Sequence, residues 1–178
     1  MNRQNLCILG STGSIGDNTL DVVSRNPERF NVVALTAHRN VDKLAQQCKR
    51  FDAEVAVVAD PALAPDLADR LKEAGSKAEV MAGEDGLAQV AGMQEVDTVM
   101  AAIVGAAGLA PTFHAAQQGK KILLANKESL VIAGEVFIAE ARRNGATVLP
   151  VDSEHNAIFQ SLPPQFRDGL DSIGVEKI

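Results

Sequence analysis

The sequence has 178 residues, of which 46% are hydrophobic and 22% are charged, and these proportions are typical of folded domains rather than of disordered chains. Seventeen basic and 23 acidic residues give a formal net charge of -6, which argues against nucleic acid as a partner. No apolar stretch approaches the roughly 18 residues of a membrane span, and no signal or transit peptide precedes the first predicted strand. We therefore expect a soluble cytoplasmic chain with no membrane partner.

The composition also predicts what fills the core. Six Phe and no Trp or Tyr leave the interior to aliphatic side chains, which suits strands that helices bury on both faces. The only two cysteines, Cys7 and Cys48, fall in a predicted strand and a predicted helix. We expect both to be reduced, structural thiols.

Strand-like and helix-like segments alternate along the chain. Seven strands are predicted, at residues 5–9, 31–36, 53–58, 77–81, 98–104, 121–124 and 147–151. Six helices are predicted between them, at residues 15–24, 41–50, 61–74, 87–91, 111–118 and 130–144. This order predicts an α/β fold with a doubly wound, mostly parallel, Rossmann-like sheet. Beyond Asp152 the pattern weakens, and Pro163-Pro164 marks the expected end of the compact domain.

A glycine-rich loop joins the first predicted strand to the first predicted helix. Its glycines are Gly10, Gly13 and Gly16, a GxxGxxG spacing rather than the commoner GxGxxG. Glycines let the backbone lie against a pyrophosphate, where free N–H groups and the positive end of the helix dipole face the anion. The alternative is that these glycines serve only a tight turn. The strand before and the helix after favour a bound dinucleotide.

The end of the second predicted strand bears on the choice of nucleotide. NAD-selective folds usually place an acidic residue there to accept from the ribose 2′-hydroxyl, but residues 36–40 read Thr-Ala-His-Arg-Asn. Arg39 can donate to a 2′-phosphate, and His38 can assist when protonated. The alternative for Arg39 is an ordinary solvated surface cation. Because the acidic residue is absent, the segment favours NADPH.

An acidic pair follows the last predicted strand. If the segment is extended, Asp152 and Glu154 point the same way and can reach one ion, while His155 points to the other side. A hard cation, Mg²⁺ or Mn²⁺, then suits the pair better than zinc, since no Cys lies nearby. Two carboxylates do not complete a site. The alternative is that Asp152 or Ser153 caps a helix.

A second polar segment, Asn126-Lys127-Glu128, follows the sixth predicted strand. Asn126 can bond the nicotinamide or a ribose, Lys127 can hold a phosphorylated or carbonyl substrate, and Glu128 can accept from a ribose hydroxyl. The alternative is a surface Lys-Glu pair of little consequence.

Four motifs in series connect these features to a known family. They are GSTGSIG at 10–16, MAAIVGAAGL at 100–109, LLANKESLV at 123–131 and LPVDSEHNAIFQSLP at 149–163. Together they closely resemble the 1-deoxy-D-xylulose 5-phosphate reductoisomerase family of the non-mevalonate isoprenoid pathway, and the resemblance covers nearly the whole chain in the right order.

The resemblance implies roles for individual residues. It implies NADPH contacts by Thr12, Gly13, Ser14, Ile15, His38, Arg39, Asn40, Asn126 and Glu128. It implies substrate contacts by Lys127, Ser153 and Glu154, of which Lys127 and Glu154 are the expected catalytic residues. It implies that Asp152 and Glu154 are two of three acidic ligands of Mn²⁺ or Mg²⁺. Other members commonly have Gly where this chain has His38.

The resemblance also implies a reaction and an organisation. The family rearranges a ketose phosphate, 1-deoxy-D-xylulose 5-phosphate, with a metal ion and reduces the product with NADPH to 2-C-methyl-D-erythritol 4-phosphate. We expect residues 1–151 to form the NADPH-binding domain and 152–178 to begin a second, catalytic domain. The third carboxylate, the substrate-phosphate site and a closing loop are expected beyond Ile178. We also expect a homodimer as the full-length protein. Because a metal held by two carboxylates without a closing loop leaves the substrate in water, we expect little or no turnover by this chain alone.

Two other functions remain compatible with the pattern. One is a different NADPH-dependent oxidoreductase, of the semialdehyde or homoserine dehydrogenase kind, which needs no acidic metal pair. The other is a non-catalytic nucleotide-binding module that a partner recognises in its nucleotide-bound form.

Overall fold

Seven parallel strands form one sheet in the computed structural model, which describes residues 3–125 and 127–163. The strands are β1 (Gln4–Leu9), β2 (Phe30–Ala37), β3 (Val55–Val58), β4 (Glu79–Ala82), β5 (Thr98–Ala101), β6 (Lys121–Leu124) and β7 (Thr147–Pro150). Their order in the sheet is β4-β3-β2-β1-β5-β6-β7. The order reverses between β1 and β5, and such a switch point is where open α/β sheets bind ligands.

Seven helices connect or follow these strands in the described part of the chain. They are α1 (Ser14–Arg25), α2 (Val41–Phe51), α3 (Ala64–Ala74), α4 (Gly83–Gly92), α5 (Leu109–Gln117), α6 (Glu128–Arg143) and α7 (Ser153–Ser161). Short 3₁₀ turns precede α3 and α5, at Pro61–Leu63 and Ala106–Gly108. Within the described residues, none of the helices combines the length and the apolar character that a membrane crossing needs.

Two hydrophobic layers hold the sheet between the helices. On one face, helices α1, α2 and α3 contribute Leu20, Leu44 and Leu67 to a buried cluster. Alternate residues of the strands complete this cluster. On the other face, Val90 of α4 and Phe137 of α6 pack in a second buried cluster. Because successive side chains of a strand point to opposite faces, a strand buried on both faces is apolar along its length. The aliphatic runs of the sequence therefore become the centre of the sheet.

The predicted architecture is confirmed, and two elements are corrected. The fifth strand was predicted to extend to residue 104 but ends at Ala101, which pairs with Leu124, the last residue of β6. The neighbouring strand ends there, so residues 102–104 have no further ladder to join and instead line a cleft. Helix α7 was not predicted. It buries none of its residues, and the apolar periodicity that indicates a helix is therefore absent from its sequence.

Helix boundaries differ from the predictions for local reasons. Helix α4 is longer than the predicted segment, because Gly83 and Glu84 already adopt its first turn. Helix α6 begins at Glu128 and contains a non-helical residue, Ala133, at φ -138° and ψ 24°. The predicted domain end at Pro163-Pro164 falls at the limit of the described residues, and Pro164 lies outside them. The division of the chain at residues 151 and 152 stays a prediction.

All the predicted site segments follow strand ends at one edge of the sheet. Leu9 of β1 pairs with Ala101 of β5, Ala101 pairs with Leu124 of β6, and Leu124 pairs with Pro150 of β7. The chain leaves every one of these strands at the same edge because the sheet is parallel. The glycine loop, the residues after β6 and the acidic pair therefore share one rim.

Candidate functional site

The glycine loop makes two close backbone approaches that only glycine allows. Gly10 has φ +81°, and a Cβ placed there would lie 2.9 Å from the carbonyl oxygen of Ala102. A Cβ at Gly16 would lie 2.4 Å from the carbonyl oxygen of Ser11. The first glycine lets the loop pass beside β5, and the last seats α1 directly on the loop. The GxxGxxG spacing therefore has a structural function at both ends.

The middle glycine leaves room for a ligand at the beginning of α1. A Cβ at Gly13 would meet only the carbonyl oxygen of Gly10, at 3.5 Å. The first hydrogen bond of the helix runs from the Asp17 N–H to the Gly13 carbonyl, at 2.9 Å. The N–H groups of Ser14 and Ile15 therefore precede the intrahelical ladder and face outward at the positive end of the helix dipole. This geometry suits an anion such as a pyrophosphate.

A cleft of about 460 Å³ opens above this loop. It is lined by Gly10, Thr12, Gly13, Ser14, Ile15, Thr36, Ala37, His38, Ala59, Leu87, Ala102, Ile103, Val104 and Ala107. The structure thus brings the four predicted loop residues and His38 to one cavity. The residues at 59, 87 and 102–107 were missed in the sequence. The signal that could have found the last group is the apolar run that ends in small residues beside the glycine loop.

The predicted 2′-phosphate segment lies at the edge of the cleft, and its residues differ in exposure and in hydrogen-bond partners. Thr36 is buried, and its hydroxyl accepts from the Gly10 N–H at 2.8 Å, which couples the segment to the loop. The Arg39 side chain is 68% exposed, and its Nη2 lies 3.3 Å from Oδ2 of Asp60. Asn40 caps α2, where its side-chain oxygen accepts from the Lys43 N–H at 3.1 Å. Arg39 is thus an exposed cation near the cleft, while the oxygen of Asn40 already has a partner.

The segment after β6 is described only in part. Asn126, a predicted NADPH contact, lies outside the described residues. Lys127 is exposed at the beginning of α6, Glu128 is half-buried, and the described part of the chain contains no ion pair between them. Ser129, which the sequence analysis did not single out, is buried, and its hydroxyl has no hydrogen-bond partner among the described residues. The sequence indicates this residue only as a small polar side chain within an otherwise apolar helix face.

The acidic pair has a different geometry from the predicted one. The expected extended segment is wrong, because Asp152 is the N-cap of α7 and accepts from the His155 N–H at 3.2 Å. His155 was expected on the other side, but its Nδ1 lies 2.5 Å from the same Asp152 oxygen. Ser153 and Glu154 are exposed in the first helical turn. The capping role that was left as an alternative is therefore present.

The capping contacts also set the charge state of Asp152. Partial burial by itself raises the pKa of this carboxyl group, but the hydrogen bonds from the His155 N–H and ring outweigh it, so the pKa lies below its ordinary value. Asp152 is therefore a carboxylate at neutral pH, as a ligand of a hard cation must be. No cluster of three or more His, Cys, Asp or Glu side chains that could hold a metal occurs among residues 3–125 and 127–163. The donor set fits such a cation but is incomplete.

A larger groove, of about 960 Å³, lies along α1 and strands β1, β5 and β6, and Ile15 lines both this groove and the smaller cleft. Apolar side chains such as Leu6, Val22, Met100 and Leu123 line much of it. Size alone would favour this groove, but the glycine-loop residues 10–14, whose backbone groups converge at the beginning of α1, do not line it. We therefore place the site at the smaller cleft.

A doubly wound parallel sheet with a glycine loop at the end of its first strand defines a dinucleotide-binding domain of the Rossmann-like class. The family model described as 1-deoxy-D-xylulose 5-phosphate reductoisomerase matches residues 6–134. The chain therefore belongs to the 1-deoxy-D-xylulose 5-phosphate reductoisomerase family.

Individual relatives agree with this family over the whole chain. The reductoisomerase of Paraburkholderia phytofirmans is 59% identical over 176 residues, which are 99% of this chain and 43% of the relative. The solved structure of the Zymomonas mobilis enzyme in complex with NADPH matches with a TM-score of 0.88 and 52% identity, over 94% of this chain and 44% of that one. A reductoisomerase structure with NADPH, fosmidomycin and magnesium matches with a TM-score of 0.90 and 46% identity, over 96% and 42%. The chain spans less than half the length of these relatives.

Proposed function

We propose that this chain is the NADPH-binding portion of a 1-deoxy-D-xylulose 5-phosphate reductoisomerase. In the full-length protein it would contribute to the metal-dependent rearrangement of this sugar phosphate and its reduction by NADPH to 2-C-methyl-D-erythritol 4-phosphate. Family membership supports the proposal, as do the related structures solved with NADPH and with magnesium. The observation that carries it is the cleft that joins the outward N–H groups of α1 to the end of β2.

The nucleotide would lie across this cleft. Thr12, Ser14 and Ile15 would hold the pyrophosphate through backbone N–H groups at the positive end of α1. Gly13, whose N–H donates to the Gly10 carbonyl, would contact the pyrophosphate through the space that its missing side chain leaves. His38, Arg39 and Asn40 would face the adenosine 2′-phosphate, and Asn126 and Glu128 would provide the remaining contacts. Arg39 is the strongest candidate for the 2′-phosphate, because it is exposed and permanently charged.

The substrate and the metal ion would lie further along the same rim. Lys127, Ser153 and Glu154 would contact the sugar phosphate, and Asp152 and Glu154 would be two carboxylate ligands of Mg²⁺ or Mn²⁺. A bound cation polarises the substrate's oxygens, and NADPH supplies hydride. The low pKa of Asp152 favours this role, because it keeps the side chain ionised. Its carboxylate would have to bind the cation and His155 together, or lose the contacts with His155.

The chain by itself should bind NADPH without turning over substrate. Two carboxylates leave a divalent cation weakly held, and the described residues include no third. We further propose that the full-length protein is a cytoplasmic homodimer. Absorbance of NADPH in a mixture of the chain, substrate, Mn²⁺ and NADPH should stay constant, while titration of the chain with NADPH should give saturable binding. Rapid NADPH consumption would show that the chain already has a complete active site.

A substitution at the metal pair separates this function from the two alternatives. In the full-length protein that carries this sequence, Asp152→Ala should lower kcat by on the order of 100-fold or more, with little change in NADPH affinity. Asp66→Ala, in the first turn of α3 and outside the cleft, is the matched control and should leave kcat near that of the unaltered protein. A dehydrogenase without a metal pair would tolerate Asp152→Ala, and a non-catalytic module would show no kcat to lose.

A further inference from the structure

We propose that Lys43 and Gln47 of helix α2 are positioning residues for the dinucleotide. Both hold a backbone carbonyl group of the glycine loop on the side away from the cleft. Gln47 thereby directs the Thr12 N–H towards the pyrophosphate, and Lys43 fixes the turn that follows and offsets a nearby negative charge. The inference rests on the proposed function, since the loop must bind a pyrophosphate for its orientation to matter.

Gln47 fixes the Ser11 carbonyl group from the side of α2. Its Nε2 donates to the Ser11 carbonyl at 3.0 Å, and its Oε1 accepts from the Ser11 hydroxyl at 2.7 Å. Ser11 is fully buried and Gln47 nearly so. The Ser11 hydroxyl also lies 3.1 Å from the Thr36 carbonyl, and the Ser11 N–H donates to that carbonyl at 2.8 Å. Buried polar groups with this many partners define one loop conformation.

Lys43 fixes the second carbonyl group and balances a charge. Its Nζ donates to the Thr12 carbonyl at 2.9 Å and to Oδ2 of Asp17 at 2.5 Å. Gln47 Nε2 reaches the other oxygen of Asp17 at 3.1 Å. Asp17 lies in the first turn of α1, close to the proposed pyrophosphate, where its negative charge would repel the ligand. The ion pair with Lys43 offsets that repulsion.

The geometry of the peptide bond converts these contacts into an orientation of donors. A peptide unit is planar and trans, so its C=O and N–H groups point in opposite directions. When Gln47 holds the Ser11 carbonyl towards α2, the Thr12 N–H of the same peptide unit points away from α2. Thr12 lines the cleft, so this N–H is directed to the ligand's side. The Gly13 N–H, which belongs to the peptide unit that Lys43 holds, donates to the Gly10 carbonyl at 3.2 Å, so Lys43 stabilises the turn itself.

Neither positioning residue lines the cleft itself. Lys43 and Gln47 are four residues apart and therefore lie on the same side of α2. They act through the loop, and a search of the sequence for nucleotide-contacting motifs does not find them. Their action is specific to the pyrophosphate end of the ligand, which gives a way to separate positioning from general stability.

The test compares two ligands and four variants of the 178-residue chain. NADPH contains the pyrophosphate, whereas adenosine 2′-monophosphate has only the part that faces residues 38–40. Lys43→Met and Gln47→Met should each weaken NADPH binding about tenfold and leave the affinity for adenosine 2′-monophosphate unchanged. Lys43→Arg should retain most of the NADPH affinity, because a guanidinium group can still donate to the Thr12 carbonyl.

The matched control is Lys49→Met on the same helix. Lys49 Nζ also donates to a backbone carbonyl, that of Gly75, at 3.0 Å, but far from the loop. This variant should bind both ligands normally. Circular dichroism melting checks that each variant is folded. If Gln47→Met does not fold, the comparison of Lys43→Met with Lys49→Met decides, because Lys43 is only half-buried.

Two results would overturn the inference. One is unchanged NADPH affinity in Lys43→Met and in folded Gln47→Met. The other is an equal loss for both ligands, which would indicate a merely structural role. If the unaltered chain does not bind NADPH at all, the proposed function fails and this inference fails with it. If the chain binds NADPH and the variants bind it equally well, only this inference is wrong.

Discussion

The two ends of the candidate site are built in different ways. At the nucleotide end, which comprises the loop 10–16 and residues 36–40, buried polar side chains are fixed by contacts between residues distant in sequence, such as Ser11 with Gln47. At the carboxylate end, which comprises residues 127–128 and 152–155, Lys127, Ser153 and Glu154 are exposed. The contact found there, between Asp152 and His155, joins residues three apart.

This difference shows where the geometry of each end comes from. Contacts distant in sequence tie the nucleotide end to the sheet and to α2, so its shape follows from the fold of this chain. Local contacts orient the Asp152 carboxylate within its own helix, and α7 contacts β7 but buries none of its residues. The chain also spans only 43% of the Paraburkholderia phytofirmans relative. We infer that a preformed nucleotide site and an incomplete carboxylate site coexist on one rim.

The largest expected difference between the two ends is in the hydrogen-exchange protection of their backbone amides. The amides of β1 are buried in the sheet and should exchange only through global unfolding, with protection on the order of 10⁴-fold or more. Helix α7 has nine residues and no buried side chain, and helices shorter than about 12 residues are marginal without tertiary packing. Its amides should exchange close to the unprotected rate in the 178-residue chain. Equal protection of β1 and α7 in a mass-spectrometric measurement would contradict the contrast.

A methyl group in the glycine loop should test how rigid the nucleotide end is. Gly16→Ala places a Cβ 2.4 Å from the Ser11 carbonyl oxygen and 2.5 Å from that of Gly10, and both are backbone atoms. Alanine is preferred over glycine inside a helix by about 1 kcal/mol, but overpacking against fixed backbone should outweigh this. We expect the free energy of unfolding to fall by about 3 kcal/mol in urea denaturation.

Gly13→Ala is the matched control for this substitution. Its added methyl group meets only one atom, at an ordinary 3.5 Å, so stability should change by less than about 1 kcal/mol. NADPH binding should nevertheless weaken, since the methyl group occupies the space proposed for the pyrophosphate. A Gly16→Ala chain as stable as Gly13→Ala would mean that the loop and α1 can move apart, and the nucleotide end would not be rigid.

The choice of nucleotide should depend on Arg39. Charge-assisted hydrogen bonds contribute about 1.5 to 3 kcal/mol, so Arg39→Ala should weaken NADPH binding about 10- to 100-fold and leave NADH binding unchanged. Stability should change little, because the Arg39 side chain is largely exposed and exposed ion pairs contribute little. Arg25→Ala is the control, since Arg25 is also exposed and paired with a carboxylate, Asp21. If Arg39→Ala lost equal affinity for NADPH and NADH, Arg39 would not be the residue that selects the 2′-phosphate.

The contrast also explains what could be predicted from the sequence. The strands and the glycine loop were predicted because apolar runs and glycine spacing are local signals that the fold preserves. Helix α7 was missed because it buries none of its residues, so that no apolar period marks its sequence. The roles of Ser11 and Gln47 were missed because a contact across 36 residues leaves no local pattern. The geometry of the acidic pair was wrong because an N-cap and an extended segment differ only after Asp152, where helical backbone begins.

The smallest expected effect concerns the acid titration of Asp152. The His155 N–H and ring lower the pKa of this carboxyl group despite partial burial, which raises it. A lowered pKa means that the folded chain favours the carboxylate. The cap therefore stabilises α7 fully above the ordinary value of 3.8, and that contribution is lost as the pH falls through the lower folded value.

Carbon-13 NMR of the carboxyl group should accordingly give a midpoint below the ordinary value. His155→Ala should raise this midpoint, and His38→Ala, at the end of β2, should leave it unchanged. A midpoint at the ordinary value in the unaltered chain would show that the cap does not form in solution. Titration with Mg²⁺ extends the test, because an ion held by Asp152 and Glu154 would lower the midpoint further. If millimolar Mg²⁺ does so in this chain alone, the two carboxylates of α7 already bind the cation, and the carboxylate end is more complete than its contacts suggest.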